Sequence, residues 1–539
     1  MAMYLGLDSS TQSATAVAIR IPGRKIVGTW SVNFAARLPA YKTENGVLRT
    51  QDPRVAHSPP LMWVEALDLL FADMAAAKFP FKEVAAIAGS GQQHGSVYLL
   101  AEADRLLADL GKAGSLAQGL AGAFSRAVSP IWMDSSTAAE CAEITKALGG
   151  TTALAELTGS AAFERFTGPQ IRKFHKTEPE AYARTRRIHL VSSFMASVLA
   201  GKSAPIDPGD GAGMNLMDLR ARAWASKALD ATAPDLAAKL PPVAPSDTVF
   251  ATISPYFVKK YGFGPGTKLL PWSGDNPCSL IGVGLVETGK VAISLGTSDT
   301  YFGFMPEAHV DPRAEGHVFG SPTGQYMSLI CFKNGSLARE AVRNRFGMDW
   351  KTFAAQIDAT PPGNLGRVML PYFDPEITPK VLEPGVRRYR LAEDDRAGAR
   401  AVVEAQALSM AVHSEWMGAK TTTVYATGGA SQNRTILQVL ADVHDADVYQ
   451  FEVSASAALG AALRALHGER KAAGAPMPWP EVVQGFAEPV AASRVTPRKE
   501  YRERYAELKK LYRQCEEHAL RKGPDPTAAL EAFGKKYAK

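Results

Sequence analysis

Leu5-Gly6-Leu7-Asp8-Ser9-Ser10-Thr11-Gln12 runs into the apolar stretch Ala16-Val17-Ala18-Ile19. The same pattern returns as Val291-Ala292-Ile293-Ser294-Leu295-Gly296-Thr297-Ser298-Asp299-Thr300. Each reads as a strand, a tight turn of small hydroxyl residues and a returning strand. Small residues let the backbone approach a ligand, and the exposed N–H groups of such turns make a concavity suited to anions. Two such turns so far apart predict two related domains closing on a polyphosphate. That organisation fits an ATP-dependent kinase.

Composition agrees with this reading. A chain of 539 residues exceeds what one hydrophobic core serves, so two domains plus extensions are expected. Hydrophobic residues make up 46% and charged residues 21%, an ordinary globular balance. The net charge of +6 is small and both signs are interspersed, so a nucleic-acid partner is not implied. The mild basic excess lies near Lys499 and from Arg502 to Lys510, and reads as a solvated helix face. Cys141, Cys278, Cys331 and Cys515 are scattered without a C-x-x-C pair, which disfavours a disulfide framework or a cysteine zinc site and points to a reducing compartment. Met1-Ala2-Met3-Tyr4 leads straight into a strand, and no apolar run approaches about 18 residues. The expectation is no signal peptide and no membrane span.

Strand-length apolar runs alternate with helical patterns, which indicates an α/β chain. Residues 60–78 have helical periodicity through Leu61, Val64, Leu67, Leu70 and Phe71, and 84–88 reads as a strand ending at Gly89-Ser90-Gly91. Residues 203–213 and 240–247, rich in Pro, Gly and Asp, read as loops. The domain boundary is placed near 271–284. Residues 400–418 read as an amphipathic helix and 424–427 as a strand. Residues 456–466 read as a small-residue helix packed closely on a neighbour, and the last ~45 residues as a charged helix pair or extension.

Several positions carry chemistry. Asp8 ends an apolar strand, where a carboxylate suits Mg2+ held through water; it would equally cap a turn. Ser10 and Thr11 suit phosphate or the same cap. Asp275, in Ser273-Gly274-Asp275-Asn276-Pro277, lies at the inferred junction, where a base can orient a hydroxyl for phosphoryl transfer. Gln92-Gln93-His94 follows a buried strand and offers the paired donors and acceptors a polyol needs. Asp134, in Trp132-Met133-Asp134-Ser135-Ser136-Thr137, reads as a second wall of that pocket or as a cap for the helix from Ala138. Arg165 suits a sugar hydroxyl or a surface ion pair. Gly428-Gly429-Ala430, with Asn433, opens a helix after a strand and lets a base or ribose approach. The chain has neither G-x-G-x-x-G at this turn nor a P-loop anywhere, so a dinucleotide fold and a P-loop phosphate site are both disfavoured.

Together these segments resemble the FGGY family of carbohydrate kinases, of the actin/hexokinase/Hsp70 superfamily, from about residue 4 to about 470. Within it the likeness is to xylulokinases, particularly the eukaryotic type. Further segments carrying it are Glu164-Arg165-Phe166-Thr167-Gly168, Pro205-Ile206-Asp207, Gly213-Met214-Asn215-Leu216 and Cys331-Phe332-Lys333-Asn334-Gly335-Ser336. The resemblance implies a two-domain, ribonuclease H-like α/β fold with the active site in the interdomain cleft. It implies an N-terminal domain over 1–282, a nucleotide-binding domain over 283–475 and a helical extension over 476–539. It implies transfer of the ATP γ-phosphate to the 5-hydroxyl of D-xylulose, feeding the pentose phosphate pathway. Asp275 would be the base, and His94, Arg165, Asp275 and Asn276 would hold the ketose, with Gln93 and Asp134 alongside. Gly429, Ala430 and Asn433, with Gly428 and Trp350, would hold adenosine. Ser10, Thr11, Gly296 and Thr297 would grip phosphates, and Asp8 would position Mg2+ through water. A cytoplasmic monomer or homodimer is expected. Ser10 stands where most of the family has Gly, a mark of the xylulokinase subgroup. Gln93-His94 replaces the Arg-Glu pair of glycerol kinases and argues against glycerol. The rivals are a family kinase for ribulose or L-xylulose, and a sugar sensor that has lost catalysis; a sensor would be expected to lack Asp8 or Asp275.

Overall fold

The apolar run that opens the chain forms β1 (Ala2–Ser9), which turns back into β2 (Ser13–Ile21) and β3 (Lys25–Asn33), all antiparallel. On its other side β1 pairs in parallel with β4 (Val84–Gly91). Three short strands complete the sheet: β5 (Ala251–Thr252), β6 (Lys268–Leu269) and β7 (Ser273–Gly274). This is a computed structural model that describes residues 2–451 and 455–538.

The second sheet repeats the plan. It consists of β8 (Lys290–Leu295), β9 (Asp299–Met305), β10 (His317–Gly320), β11 (Tyr326–Phe332), β12 (Thr423–Thr427) and β13 (Asp447–Gln450). Here β8 is antiparallel to β9, β9 to β11, and β8 is parallel to β12, which pairs with β13. In both sheets the first strand turns back antiparallel on one side and meets a parallel strand on the other. The two hydroxyl-rich turns, Ser10–Gln12 and Gly296–Ser298, therefore occupy equivalent places. The fold is a two-domain α/β architecture with a cleft between related lobes.

The central strands β1 and β4 are buried on both faces because helices cover both sides, whereas the outer strand β3 is largely exposed. Alternation along β1 sorts its residues. Leu5 and Leu7 pack with Trp63, Leu67, Leu70 and Phe71 of α1 (Pro60–Ala76). Tyr4 faces the opposite core, which contains Leu459 and Leu463. Each such buried side chain contributes about 1.5–3 kcal/mol. After the first sheet comes α2 (Asp275–Gly282); α3 (Gly398–His413) and α4 (Arg434–His444) belong to the second lobe.

The joint is α5 (Ser456–Ala472). Its sequence position follows the second sheet, yet it lies on the first: Arg464 donates to Gly89 O (3.0 Å) and Pro271 O (2.6 Å). It crosses α2 where Gly282 and Gly460 meet. A Cβ on Gly460 would stand 1.9 Å from Cys278 O, so only glycine permits this approach. The close packing expected of 456–466 is present.

One reading is corrected and another is extended. Residues 203–213 are not a plain loop: Pro208–Gly211 forms a helical turn capped by Asp207, and the turn is buried. The final segment is bound into the second lobe. In α6 (Arg502–Ala519), Tyr505, Leu508, Tyr512 and Cys515 are buried, and the Glu516 carboxylate faces His413 Nε2 at 3.1 Å. Helix α7 (Thr527–Tyr537) buries Leu530 and Phe533. The helix pair is charged outside and apolar beneath.

Candidate active site

Register builds the acidic centre. Asp8 on β1 is level with Ser90 on β4, and Ser273 on β7 is level with Ser90 from the other side. Two residues later Asp275 opens α2, so both carboxylates reach the cleft beside the end of β4. Ser90 Oγ donates to Asp8 (2.6 Å), as does Ser10 Oγ. Burial pushes the Asp8 carboxyl above its usual range. Asp275 accepts from the N–H of Asn276 (2.9 Å) and of Gln93 (3.3 Å). Burial first, then the charge of Asp8, pushes its pKa up to about 7. A carboxylate near 7 is suited to taking a proton at neutral pH.

The polar residues after β4 sit beside Asp275. Gln93 Oε1 accepts from Asn276 Nδ2 at 2.8 Å. Among the described residues nothing pairs with the buried Gln93 Nε2, a donor left for a ligand. The His94 ring stacks on Phe166 with centroids 4.4 Å apart. Its Nδ1 lies 2.8 Å from Gly213 O. A carbonyl only accepts, so Nδ1 carries the proton and Nε2 is left as an acceptor. Burial, then the Arg165 charge, lowers its pKa to about 3, so the ring is neutral. The Arg165 guanidinium lies over Phe163 (5.2 Å) and Phe166 (5.9 Å). His94, Arg165, Gln93, Asp275 and Asn276 are thus brought together.

Asp134 stands apart from them. Ser136 N–H (3.0 Å), Gln170 Nε2 (2.8 Å) and Ala56 N–H (3.0 Å) all donate to it. Burial raises its pKa, but the bonds from Ser136 and Gln170 prevail and hold it below the usual range. It ties loop to loop; the helix cap falls at Thr137 instead. Next to it, Trp132 Nε1 donates to Thr11 Oγ1 (2.8 Å), linking this wall to the first hydroxyl turn.

Across the cleft a cavity of about 800 Å³ is lined by Gly296, Thr297, Trp350, Gly429, Ala430 and Asn433, among others. Gly428, at φ +83, sits where a second cavity of about 630 Å³ reaches Asn276 and Ser294. The first cavity is lined by residues of the second lobe, and the second reaches Asn276, the neighbour of Asp275. Asn433 Oδ1 caps α4 by accepting from Thr435 N–H (3.0 Å), and its amide side chain lines the cavity. Trp350 is 40% exposed, with the Arg343 guanidinium 4.4 Å over its ring.

Sequence reading missed the brace of the second turn. Arg339 is paired bidentately with buried Asp299 (2.8 and 3.1 Å) and donates to Gln406 Oε1 (2.8 Å). Gln406 holds Asn334 O and Gly335 O (2.7 and 2.9 Å), while Ser336 N–H holds Gly296 O (2.8 Å). Partners up to about 110 residues apart in the chain leave no local signal. Among the described residues no cluster of three metal-ligating side chains forms. Asp8, a buried carboxylate near the end of β1 beside the hydroxyl-rich turn, fits Mg2+, which keeps several waters and takes one or two carboxylates plus phosphate oxygens.

Residues 125–282 match the N-terminal domain and residues 291–469 the C-terminal domain of the FGGY family of carbohydrate kinases. The chain belongs to the FGGY family. A xylulose kinase of Rattus norvegicus is 44% identical over 536 residues, covering 97% of this chain and 98% of that one. Xylulose kinase 2 of Arabidopsis thaliana is 45% identical over 489 residues, covering 86% and 87%. Among solved structures, a xylulose kinase from Rhodospirillum rubrum aligns with TM-score 0.78 at 19% identity over 96% of this chain and 99% of that one. A gluconate kinase from Lactobacillus acidophilus aligns equally, at 0.78 and 20% identity over 99% of both. That likeness shows the FGGY fold, and the sugar is decided elsewhere.

Proposed function

We propose that this FGGY kinase transfers the γ-phosphoryl group of ATP to O5 of D-xylulose, giving D-xylulose 5-phosphate. The observation that carries the chemistry is Asp275, a carboxylate with a pKa of about 7 at the lobe junction, between the polar pocket of Gln93 and His94 and the cavity that reaches Asn276. The sugar is taken from relatives named xylulose kinase that match this chain almost end to end.

Asp275 accepts the O5 proton as that oxygen attacks the γ-phosphorus. Neutral His94 offers Nε2 as an acceptor to a sugar hydroxyl, while Arg165, Asn276 and Gln93 Nε2 donate. Gly429, Ala430, Asn433 and Trp350 hold adenosine, and Gly428 lets the chain pass beneath the nucleotide. The turns around Ser10–Thr11 and Gly296–Thr297 present N–H groups to the phosphates, as preorganised charge stabilisation requires. Mg2+, when bound beside Asp8, supplies positive charge to the phosphate oxygens. Closure at the Gly282–Gly460 joint excludes water, which limits hydrolysis of ATP. Four free thiols fit a reducing compartment, and we assign the enzyme to the cytoplasm, as a monomer or homodimer.

Phosphorus NMR of the product from MgATP and D-xylulose tests this reading. A phosphomonoester coupled to the C5 protons supports it; a phosphate on another carbon, or none, contradicts it.

A further inference from the structure

Arg165 has five N–H donors, and among the described residues no carboxylate pairs with it. Its side-chain hydrogen bond runs instead to His317 Nε2, at 3.4 Å. His317 belongs to β10, the edge strand of the other lobe. A guanidinium only donates, so Nε2 must present its lone pair and the ring proton must sit on Nδ1. That nitrogen lies 3.2 Å from Ser160 Oγ, which can take the proton's hydrogen bond. The ring is held against Phe163 (4.8 Å, edge-on) and Phe319 (5.8 Å, interplanar angle 15°), and is 1% exposed. Burial, then the Arg165 charge, holds its pKa well below the ordinary value, which keeps the acceptor lone pair available.

The strand carrying His317 is itself docked on the first lobe. Val318 N–H donates to Gly159 O at 2.8 Å, and Arg222 donates to Gly324 O beyond the strand's end. A Cβ on Gly159 would stand 2.2 Å from Val318 O, so the approach depends on that glycine. The acceptor that aims Arg165 is therefore available only while the lobes are together on this side of the cleft.

We propose that His317 is a positioning residue for the sugar: its Nε2 aims the Arg165 guanidinium into the cleft, so that full ketose affinity requires the second lobe to be docked. This rests on Arg165 being a sugar ligand. It makes one lobe's edge strand part of the other lobe's sugar site, on the opposite flank from the nucleotide cavity.

The test is calorimetric titration of the full-length protein, without nucleotide, with D-xylulose, D-ribulose and L-xylulose, and separately with ADP. The proteins compared are the wild type, His317→Phe, His317→Asn and His317→Gln. Phe keeps the ring packing and removes both nitrogens, Asn withdraws the acceptor, and Gln returns an acceptor near the position of Nε2. Losing a hydrogen bond to a charged group weakens binding about tenfold or more. The expected result is that loss for Phe and Asn, affinity within about threefold of wild type for Gln, and ADP affinity unchanged in all. If His317→Phe does not fold, the Asn–Gln comparison decides. Ketose affinity within about twofold for Phe and Asn overturns the proposal. So does a Gln variant as weak as Phe, or a parallel loss of ADP binding. A wild type that binds D-ribulose or L-xylulose but not D-xylulose overturns the D-xylulose assignment and leaves His317 to be judged on the ketose that binds. A wild type that binds none of the three overturns both.

Discussion

Asp8 and Asp275 flank the end of one strand: Asp8 is level with Ser90, and Asp275 follows two residues after Ser273, which is level with Ser90 from the other side. The charge of Asp8 adds to burial in holding Asp275 at a pKa of about 7. In the proposed reaction this pair would supply the proton acceptor and the seat for the metal within one short stretch of sheet.

The pH profile follows from that coupling. The base acts as the carboxylate, so kcat/KM for the sugar should fall as pH drops through about 7. Asp8→Asn removes the neighbouring charge and should move this limb to lower pH, measured on the residual activity. The same shift has a sign for stability. An acid raised above its ordinary value of 3.8 contributes stability below that pH and loses it as pH rises toward about 7. Thermal unfolding of Asp275→Asn should therefore lose part of the wild type's decline between those pH values.

Asp275→Asn should lower kcat at least 10²–10³-fold, the usual worth of a positioned base. Ketose affinity should stay within about tenfold, because Asn keeps acceptor and size. Single-turnover assays with calorimetry separate the two quantities.

Arg339→Ala should leave Asp299 buried and unpaired, a loss of about 3–5 kcal/mol in stability. Chemical denaturation measures it. Because the pair braces the Gly296–Thr297 turn, KM for ATP should rise more than KM for the sugar.

Gly460→Ala places a Cβ against Cys278 O at the joint of α2 and α5. Overpacking of this kind costs about 1–3 kcal/mol. The melting temperature should fall, and sugar-independent ATP hydrolysis should rise relative to sugar phosphorylation as closure becomes imperfect.

The candidate residues could be picked out because the segments that hold them are local. Asp8, Gln93, His94, Asp275 and Gly428–Ala430 each lie near the end of a strand, in the turn after it or at the start of a helix, within a run of small or polar residues, and that punctuation survives in one sequence. The repeated strand–turn–strand around Asp8 and Ser294 carried the two-lobe plan for the same reason. Asp134 shows the limit: its neighbours in sequence look like a pocket wall, but its partners Ala56 and Gln170 arrive from distant segments and take up its oxygens. Arg339 with Asp299, and Arg165 with His317, are pairs between distant elements, with no spacing to betray them. Likewise α5 reads correctly as a small-residue helix, but which sheet it covers is decided by Arg464 reaching Gly89 and Pro271.

The most direct measurement is ADP release from MgATP in a coupled assay with D-xylulose, D-ribulose, L-xylulose, glycerol and no sugar. The account predicts strong release with D-xylulose, little with glycerol and a weak background without sugar. Strong release with another sugar in place of D-xylulose would contradict the substrate assignment, and no sugar-dependent release at all would contradict catalysis by Asp275.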